Sequence, residues 1–436
     1  MPRQFIAPLT LAGWILLAAP LPAQSAPELP IDSALARRHF QQASALTARD
    51  GGRLWGRSLA GPILFVDPAT RTVLGDSADL EGLLRPLGGF YTGTLPPSEM
   101  AANTGLRWAG RTWAMIRWPP TADSLERGVL LVHELWHRIQ DGLGLPLDDP
   151  PNPHLATLEG RLWLRLEARA LRRALDARGA ARSPALRDAL LFRRRRQARF
   201  SGADSTERQL EMNEGLAEYT GVAVAAPDSA ALHDLVANRL AALDTIAHYE
   251  REFAYQTGPA YGFFLDQLAA GWRAGLGSGD DLSRLLNRAL GGKSAATAQA
   301  VARGQAYGYA AVRREETARE RRRAAHLAAL RERFVTGPVL ELPLTEMKLG
   351  FDPAEVESMD SLGIVYGKLR LSDKWGVMQC DATGGLVSFD WHRLIVPAPA
   401  DTAGRRLTGA GWVLELAPAW RLVPGTRRGD WTVTTP

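Results

Sequence analysis

The feature that most constrains how this chain folds is a long block of helical patterning, residues 122–334, set between two stretches of strand-like alternation. Inside the block, apolar residues recur three and four positions apart. Leu155, Leu158, Leu162, Leu166 and Ala170 are one example, and such spacing gives a helix a single buried stripe. Upstream, over 51–118, the runs 62–66 and 70–74 flank Asp67-Pro68-Ala69 and predict a hairpin, and 112–118 predicts a further strand. Downstream of Gly337-Pro338, the runs 339–342, 363–366, 385–389 and 411–416 alternate between Gly, Pro and Asp residues. They predict a β-rich domain over 336–436. The expected class is α+β: a small N-terminal sheet, a mostly helical middle and a C-terminal β-rich domain.

Helix signals subdivide the block. A helical lead-in over 26–50 offers Ala34, Leu35, Phe40 and Leu46 as anchors. Asp123 or Ser124 caps a helix that runs to Gln140, where Gly142 and Gly144 follow. Further helices are expected at 153–178, from Ser183-Pro184 to Phe200, from Asp204 or Ser205 through 213–215, and at 229–249, 258–275, 281–290 and 308–334.

The chemistry concentrates in Leu131-Val132-His133-Glu134-Leu135-Trp136-His137. Two histidines four apart lie one above the other on a helix face, so both imidazoles can reach one metal ion. Glu134 projects beside that ion and can take a proton from a water whose pKa the metal lowers. A catalytic zinc takes three protein ligands and keeps one position open. No other histidine is suitably placed, which leaves two carboxylates as third ligand. Glu214 stands in Asn213-Glu214-Gly215-Leu216-Ala217-Glu218-Tyr219, and Glu159 in Thr157-Leu158-Glu159-Gly160-Arg161.

With the His-Glu-x-x-His run, Asn213-Glu214-Gly215-Leu216-Ala217-Glu218-Tyr219 resembles the second zinc-binding helix of the gluzincins, the thermolysin-like metallopeptidases. The likeness is closest to their zinc aminopeptidase branch. The resemblance implies a zincin-like catalytic domain over 26–335 and one zinc per chain. His133, His137 and Glu214 would be its ligands, in preference to Glu159. It also implies that Glu218, one turn beyond Glu214, orients a ligating histidine, with Asn213, next to Glu214, in support. The physics agrees, because a ligating imidazole usually donates its other N–H to a carboxylate.

A third stretch, Tyr255-Gln256-Thr257-Gly258-Pro259-Ala260, resembles the Tyr-x-x-Gly-x-Ala segment of the same branch. There the tyrosine donates to the oxyanion of the tetrahedral intermediate, which makes Tyr255 the matching residue. Two departures stand out. Helices over 153–200 are inserted between the ligand helices. The segment 111–115 also lacks the acid with which those aminopeptidases bind a free amino terminus, so aminopeptidase specificity is not expected.

Composition narrows the setting. Arg3, an apolar run over 5–21 and Ala23-Gln24-Ser25-Ala26 have the order of a bacterial signal peptide over 1–25. The product would be periplasmic or extracellular, with no stable membrane span after cleavage. Cys380 is the only cysteine, so no intrachain disulfide can form. The net charge of +5 comes from 52 basic and 47 acidic residues interleaved along the chain, which gives no one-sided field. Export likewise argues against a nucleic-acid partner for Arg193-Arg194-Arg195-Arg196, which is expected on a solvated or inter-helix face. The Arg/Glu-rich helix near 313–333 is expected to be solvated, and Trp136 to be core. The expected function is an exported zinc metallohydrolase acting on peptide or protein. A non-catalytic binding or scaffold module on the same fold is the rival, and zinc hydrolysis of another amide or ester a third possibility.

Overall fold

The computed structural model describes residues 30–435 except 146, 294, 352–354, 360 and 382. The expected signal peptide, 1–25, lies outside the described residues. The fold is α+β, with an N-terminal sheet, a helical middle and a C-terminal β-rich region. Contacts divide the chain into two compact units. The first runs to Pro153 and resumes over Glu167–Ala300; the second comprises His154–Leu166 and Val301–Pro436. The β-rich region expected from residue 336 therefore also takes in, by contact, the helix before it and a short upstream segment.

The first unit opens with helix α1 (Ser33–Asp50), capped by the Asp32 side chain. A six-stranded sheet follows: β1 (Ile63–Val66), β2 (Thr72–Gly75), β3 (Arg85–Leu87), β4 (Phe90–Thr94), β5 (Thr104–Trp108) and β6 (Arg111–Arg117). Its order is β3-β4-β2-β1-β6-β5. The expected hairpin is β1–β2, with Phe65 opposite Leu74. Period-two alternation assigns the faces. Ile63, Phe65, Ala114 and Ile116 pack with α1 and with Leu131 and Leu135 of α2 (Ser124–Gln140). Leu64, Val66, Trp113 and Met115 pack on the other side. The anchors of α1 differ from the expected set: Ala36, His39, Phe40 and Ala43 are buried, while Ala34 is exposed and Leu35 and Leu46 are half-buried. Alanine is too small to mark the buried face by its identity alone.

The remaining helices are α3 (Leu158–Asp176), α4 (Arg182–Gln197), α5 (Ala203–Leu210), α6 (Leu216–Ala225), α7 (Ser229–Ala242), α8 (Tyr249–Leu268) and α9 (Leu282–Ala289). Between α5 and α6, Glu211–Gly215 forms one turn wider than an α-turn, so the helical path is continuous from 203 to 225. Two boundaries correct the sequence reading. The helix expected at 229–249 stops at Ala242, whose carbonyl then accepts from Thr245 and Ile246 in a tight turn. The helix expected at 258–275 begins at Tyr249 instead. Pro259 lies in its interior, where burial of Phe253, Ala254, Tyr261, Phe264 and Leu265 outweighs the local breaker signal.

Of the two settings expected for the Arg193–Arg196 run, the inter-helix face holds for two of its residues. Arg193 and Arg196 are fully buried against Glu167, Glu207 and Glu211, because positions three apart share one inward face. Trp136 is in the core, as expected.

In the second unit, after the short α10 (Ala300–Gly304), the helix α11 (Tyr309–Arg331) is mostly exposed. Its Glu316, however, is buried and takes Arg161 and Arg165, so this helix is not wholly solvated. The β-rich part holds a seven-stranded and a six-stranded sheet. Leu340, Leu342, Leu394 and Val396 of one sheet meet Leu371, Met378, Leu407 and Leu414 of the other in a common core. Burial pushes the Cys380 thiol up to about 12, which leaves it a poor nucleophile.

Candidate metal centre

The site is built in the first unit from α2, the stretch 211–225 and α8. Helix α2 starts where the Asp123 carboxylate accepts from Leu125 and Glu126 amides. Its apolar face lies on the sheet, and its other side carries His133 and His137. Two glycines let the partner helices close in. A Cβ on Gly221 of α6 would stand 2.6 Å from the Val129 carbonyl oxygen of α2, and one on Gly258 of α8 would stand 2.5 Å from the Gly215 Cα. Larger residues would hold the three backbones apart.

This close approach brings His133, His137 and Glu214 together, with one potential ligand atom from each within 4.8 Å of the others. Glu214 Oε2 is 3.2 Å from His133 Nε2 and 3.5 Å from His137 Nε2, and the two Nε2 atoms are 3.1 Å apart. The far ring nitrogens are occupied. His133 Nδ1 is 2.9 Å from Glu218 Oε2, and His137 Nδ1 is 2.7 Å from Gln140 Oε1. Both Nε2 atoms thus face the carboxylate. Glu218 is itself fixed by Arg239 Nε at 2.8 Å, and Arg239 forks onto Glu126. Gln140 Nε2 donates to Asn213 Oδ1 at 3.0 Å, which ties the two helices beside the ligands. The expected site residues His133, Glu134, His137, Asn213, Glu214, Glu218 and Tyr255 all line one cleft of about 1140 Å³. Glu159 is not in the group; its carboxylate accepts from the Trp163 indole at 3.0 Å.

Glu134 is 3% exposed, and its Oε2 has no hydrogen-bond partner among the described residues. A buried orphan carboxylate oxygen is rare in a folded protein and marks a place for a ligand or water. Burial, with Glu214 and Glu218 nearby, raises its pKa. Burial alone would depress His133, but the hydrogen bonds it donates to Glu214 and Glu218 outweigh it and raise the imidazole to about 10. Against its own burial, Glu214 is held far below the usual carboxylate range by His133 and His137. Two imidazole nitrogens and one carboxylate oxygen, with the other ring nitrogens already oriented, fit a zinc ion.

Tyr255 lies in the interior of α8, not at a helix start. Its ring stacks on His133 with centroids 5.6 Å apart, and its hydroxyl donates to Glu214 Oε2 at 2.7 Å. Sequence reasoning missed Arg251, one turn before it. Arg251 donates to Glu214 Oε1 at 2.7 Å, to the Tyr255 hydroxyl at 2.6 Å and to Asp149 at 3.1 Å. The i,i+4 offset from Tyr255 was the only available signal, and it shows only if the helix is known to begin before 251. Gln140 and Arg239 were missed for a similar reason, since neither falls in a motif.

No family model, curated protein or solved structure matches the chain. Among the described residues, no helix is long and apolar enough to cross a membrane.

Proposed function

We propose that the chain is a zinc-dependent metallohydrolase, zincin-like in its first unit and acting as a peptidase, with an oxyanion donor on α8. The observation that carries the reading is the buried, unpartnered Glu134 Oε2 beside two imidazoles and a carboxylate. Zinc held by His133, His137 and Glu214 would polarise a scissile carbonyl and bring the pKa of a water towards neutrality. Glu134 accepts the proton of the attacking water and later delivers it to the leaving amine. Burial raises its pKa above the usual carboxylate range, the direction that favours a general base. The Tyr255 hydroxyl turns from Glu214 to donate to the oxyanion, and Arg251 holds the Glu214 oxygen that faces away from the histidines. Glu218 and Gln140 keep the two imidazoles in orientation.

A peptide substrate is favoured by β5. This strand pairs only with β6, stands at the end of the sheet and lends Thr104, Gly105 and Arg107 to the cleft. An extended peptide can add to such an edge by backbone hydrogen bonds. Export follows from the N-terminal apolar run and its small-residue sequel.

The test is digestion of a broad peptide library by zinc-loaded protein. Cleavage that disappears in Glu134→Gln is the expected result. Tight zinc with no cleavage anywhere in the library would instead favour the binding or scaffold module.

A further inference from the structure

Beside the candidate centre lies a second set of buried charges that the hydrolytic reading does not use. Arg193 and Arg196 of α4 are 1% and 0% exposed, and Glu167, Glu207 and Glu211 are equally buried. Arg193 forks onto Glu211, Nη1 to Oε2 at 2.6 Å and Nη2 to Oε1 at 2.5 Å, and its Nε donates to Glu167 at 2.9 Å. Thr257 Oγ1 donates to the same Glu211 Oε1 at 2.6 Å. One carboxylate therefore joins three elements: α4, the wide turn Glu211–Gly215 and α8.

The positions of those contacts matter. Glu211 begins the wide turn that carries Asn213 and Glu214, and Thr257 lies two residues after Tyr255. In a regular helix, residues three apart share one face. The wider turn unwinds the path locally, so Glu207 and Glu211 face the arginines while Glu214 and Glu218 face the histidines. A wide turn is intrinsically uncommon and is frequent at functional sites, although a second one, Glu332–Thr336, lies outside this centre. Something must hold this one, and among the described residues the charged pair gripping its first residue is the Arg193 fork.

We propose that Arg193, Glu211 and Thr257 are positioning residues for the metal centre: they fix the turn bearing Glu214 against the helix bearing Tyr255. The proposal rests on the reading of His133, His137 and Glu214 as metal ligands. Ligand and donor placement must hold to within about 0.5 Å to be productive, so loosening one bond in this bridge acts on the centre without touching it.

The test measures zinc affinity and the cobalt(II) absorption spectrum of the full chain, alongside melting temperature. Thr257→Val removes the hydroxyl and keeps the shape; Thr257→Ser restores the hydroxyl; Glu211→Gln is a second route to the same loss. Tyr249→Phe is the control. It deletes another buried hydrogen bond of α8, from the Tyr249 hydroxyl to the Leu243 carbonyl at 2.7 Å, two turns before Thr257.

We expect zinc affinity to fall roughly tenfold in Thr257→Val, with an altered cobalt spectrum, and to return to within about twofold of wild type in Thr257→Ser. Tyr249→Phe lowers the melting temperature and leaves both metal readouts unchanged. Wild-type affinity and spectrum in both Thr257→Val and Glu211→Gln would overturn the positioning role alone. Loss of zinc affinity in Tyr249→Phe in proportion to its melting temperature would do the same. A wild-type chain that binds no zinc would instead remove the reading beneath it.

Discussion

Two buried charged clusters share the helical path from 203 to 225, one on each side of the wide turn. Around Arg193 and Arg196, both oxygens of Glu167, Glu207 and Glu211 meet a guanidinium donor, and Thr257 and Tyr261 add hydroxyl donors. Around His133 and His137, the ring nitrogens and Glu214 and Glu218 are engaged, but Glu134 keeps a buried oxygen without a partner among the described residues. The first cluster is complete and walled off from solvent; the second is incomplete and opens on a cleft. A satisfied buried network rigidifies a core, whereas a buried polar atom left without a partner costs free energy unless a ligand meets it. On the proposed reading, this difference separates the scaffold from the site of chemistry more sharply than charge or burial does.

The largest expected effect breaks the comparison at its open end. Glu134→Gln should lower hydrolysis by roughly 10²–10⁴-fold while zinc content, read by elemental analysis, stays the same. Activity that survives the change would mean that another group moves the proton. At the closed end, Arg193→Met strands the carboxylates of Glu167 and Glu211 in a dry core. It should cost about 3–5 kcal/mol in urea denaturation, because the charge left behind is uncompensated. A loss below about 1 kcal/mol would place the pair with weak surface bridges.

Glu218→Gln, back at the open end, has a smaller effect. It keeps a hydrogen-bond acceptor for His133 but removes the charge, and zinc affinity should fall by roughly 10–100-fold with circular dichroism unchanged.

The smallest effect sharpens the contrast between two buried histidines. His133 has carboxylate partners and is raised, whereas His39 packs on Phe65 and Trp118. Burial first, then Arg127 and Arg38, lower the His39 imidazole to about 4. The unfolded chain takes up this proton near 6.5 and the folded chain only near 4, so stability falls as pH drops through that window. Denaturation midpoints of wild type and His39→Gln should converge as the pH falls from 6.5 to 4. Parallel curves would show that His39 does not titrate in the window.

Much of the arrangement was legible in the sequence because helical periodicity is local. The four-residue spacing of His133 and His137 puts both on one face, and the same spacing sends Glu214 and Glu218 to one cluster. The α+β order followed from the change of period at 118–122 and again at 336–338. What stayed hidden depends on partners distant in sequence. The sequence left Arg193 and Arg196 between a solvated and an inter-helix face because Glu167 and Glu211, which neutralise them, lie elsewhere in the chain. Gly258-Pro259 read as a helix start because only tertiary burial carries α8 through the proline, and with that boundary misplaced Arg251 had no helix to belong to.

Metal analysis of the purified, zinc-supplemented full-length chain, wild type beside Glu214→Ala, bears most directly on the centre. One equivalent of zinc per wild-type chain and a near-complete loss in the variant is the predicted result. Folded wild type without zinc, or a Glu214→Ala variant that keeps its metal, would contradict the His133–His137–Glu214 centre, the second outcome by turning attention to Glu159.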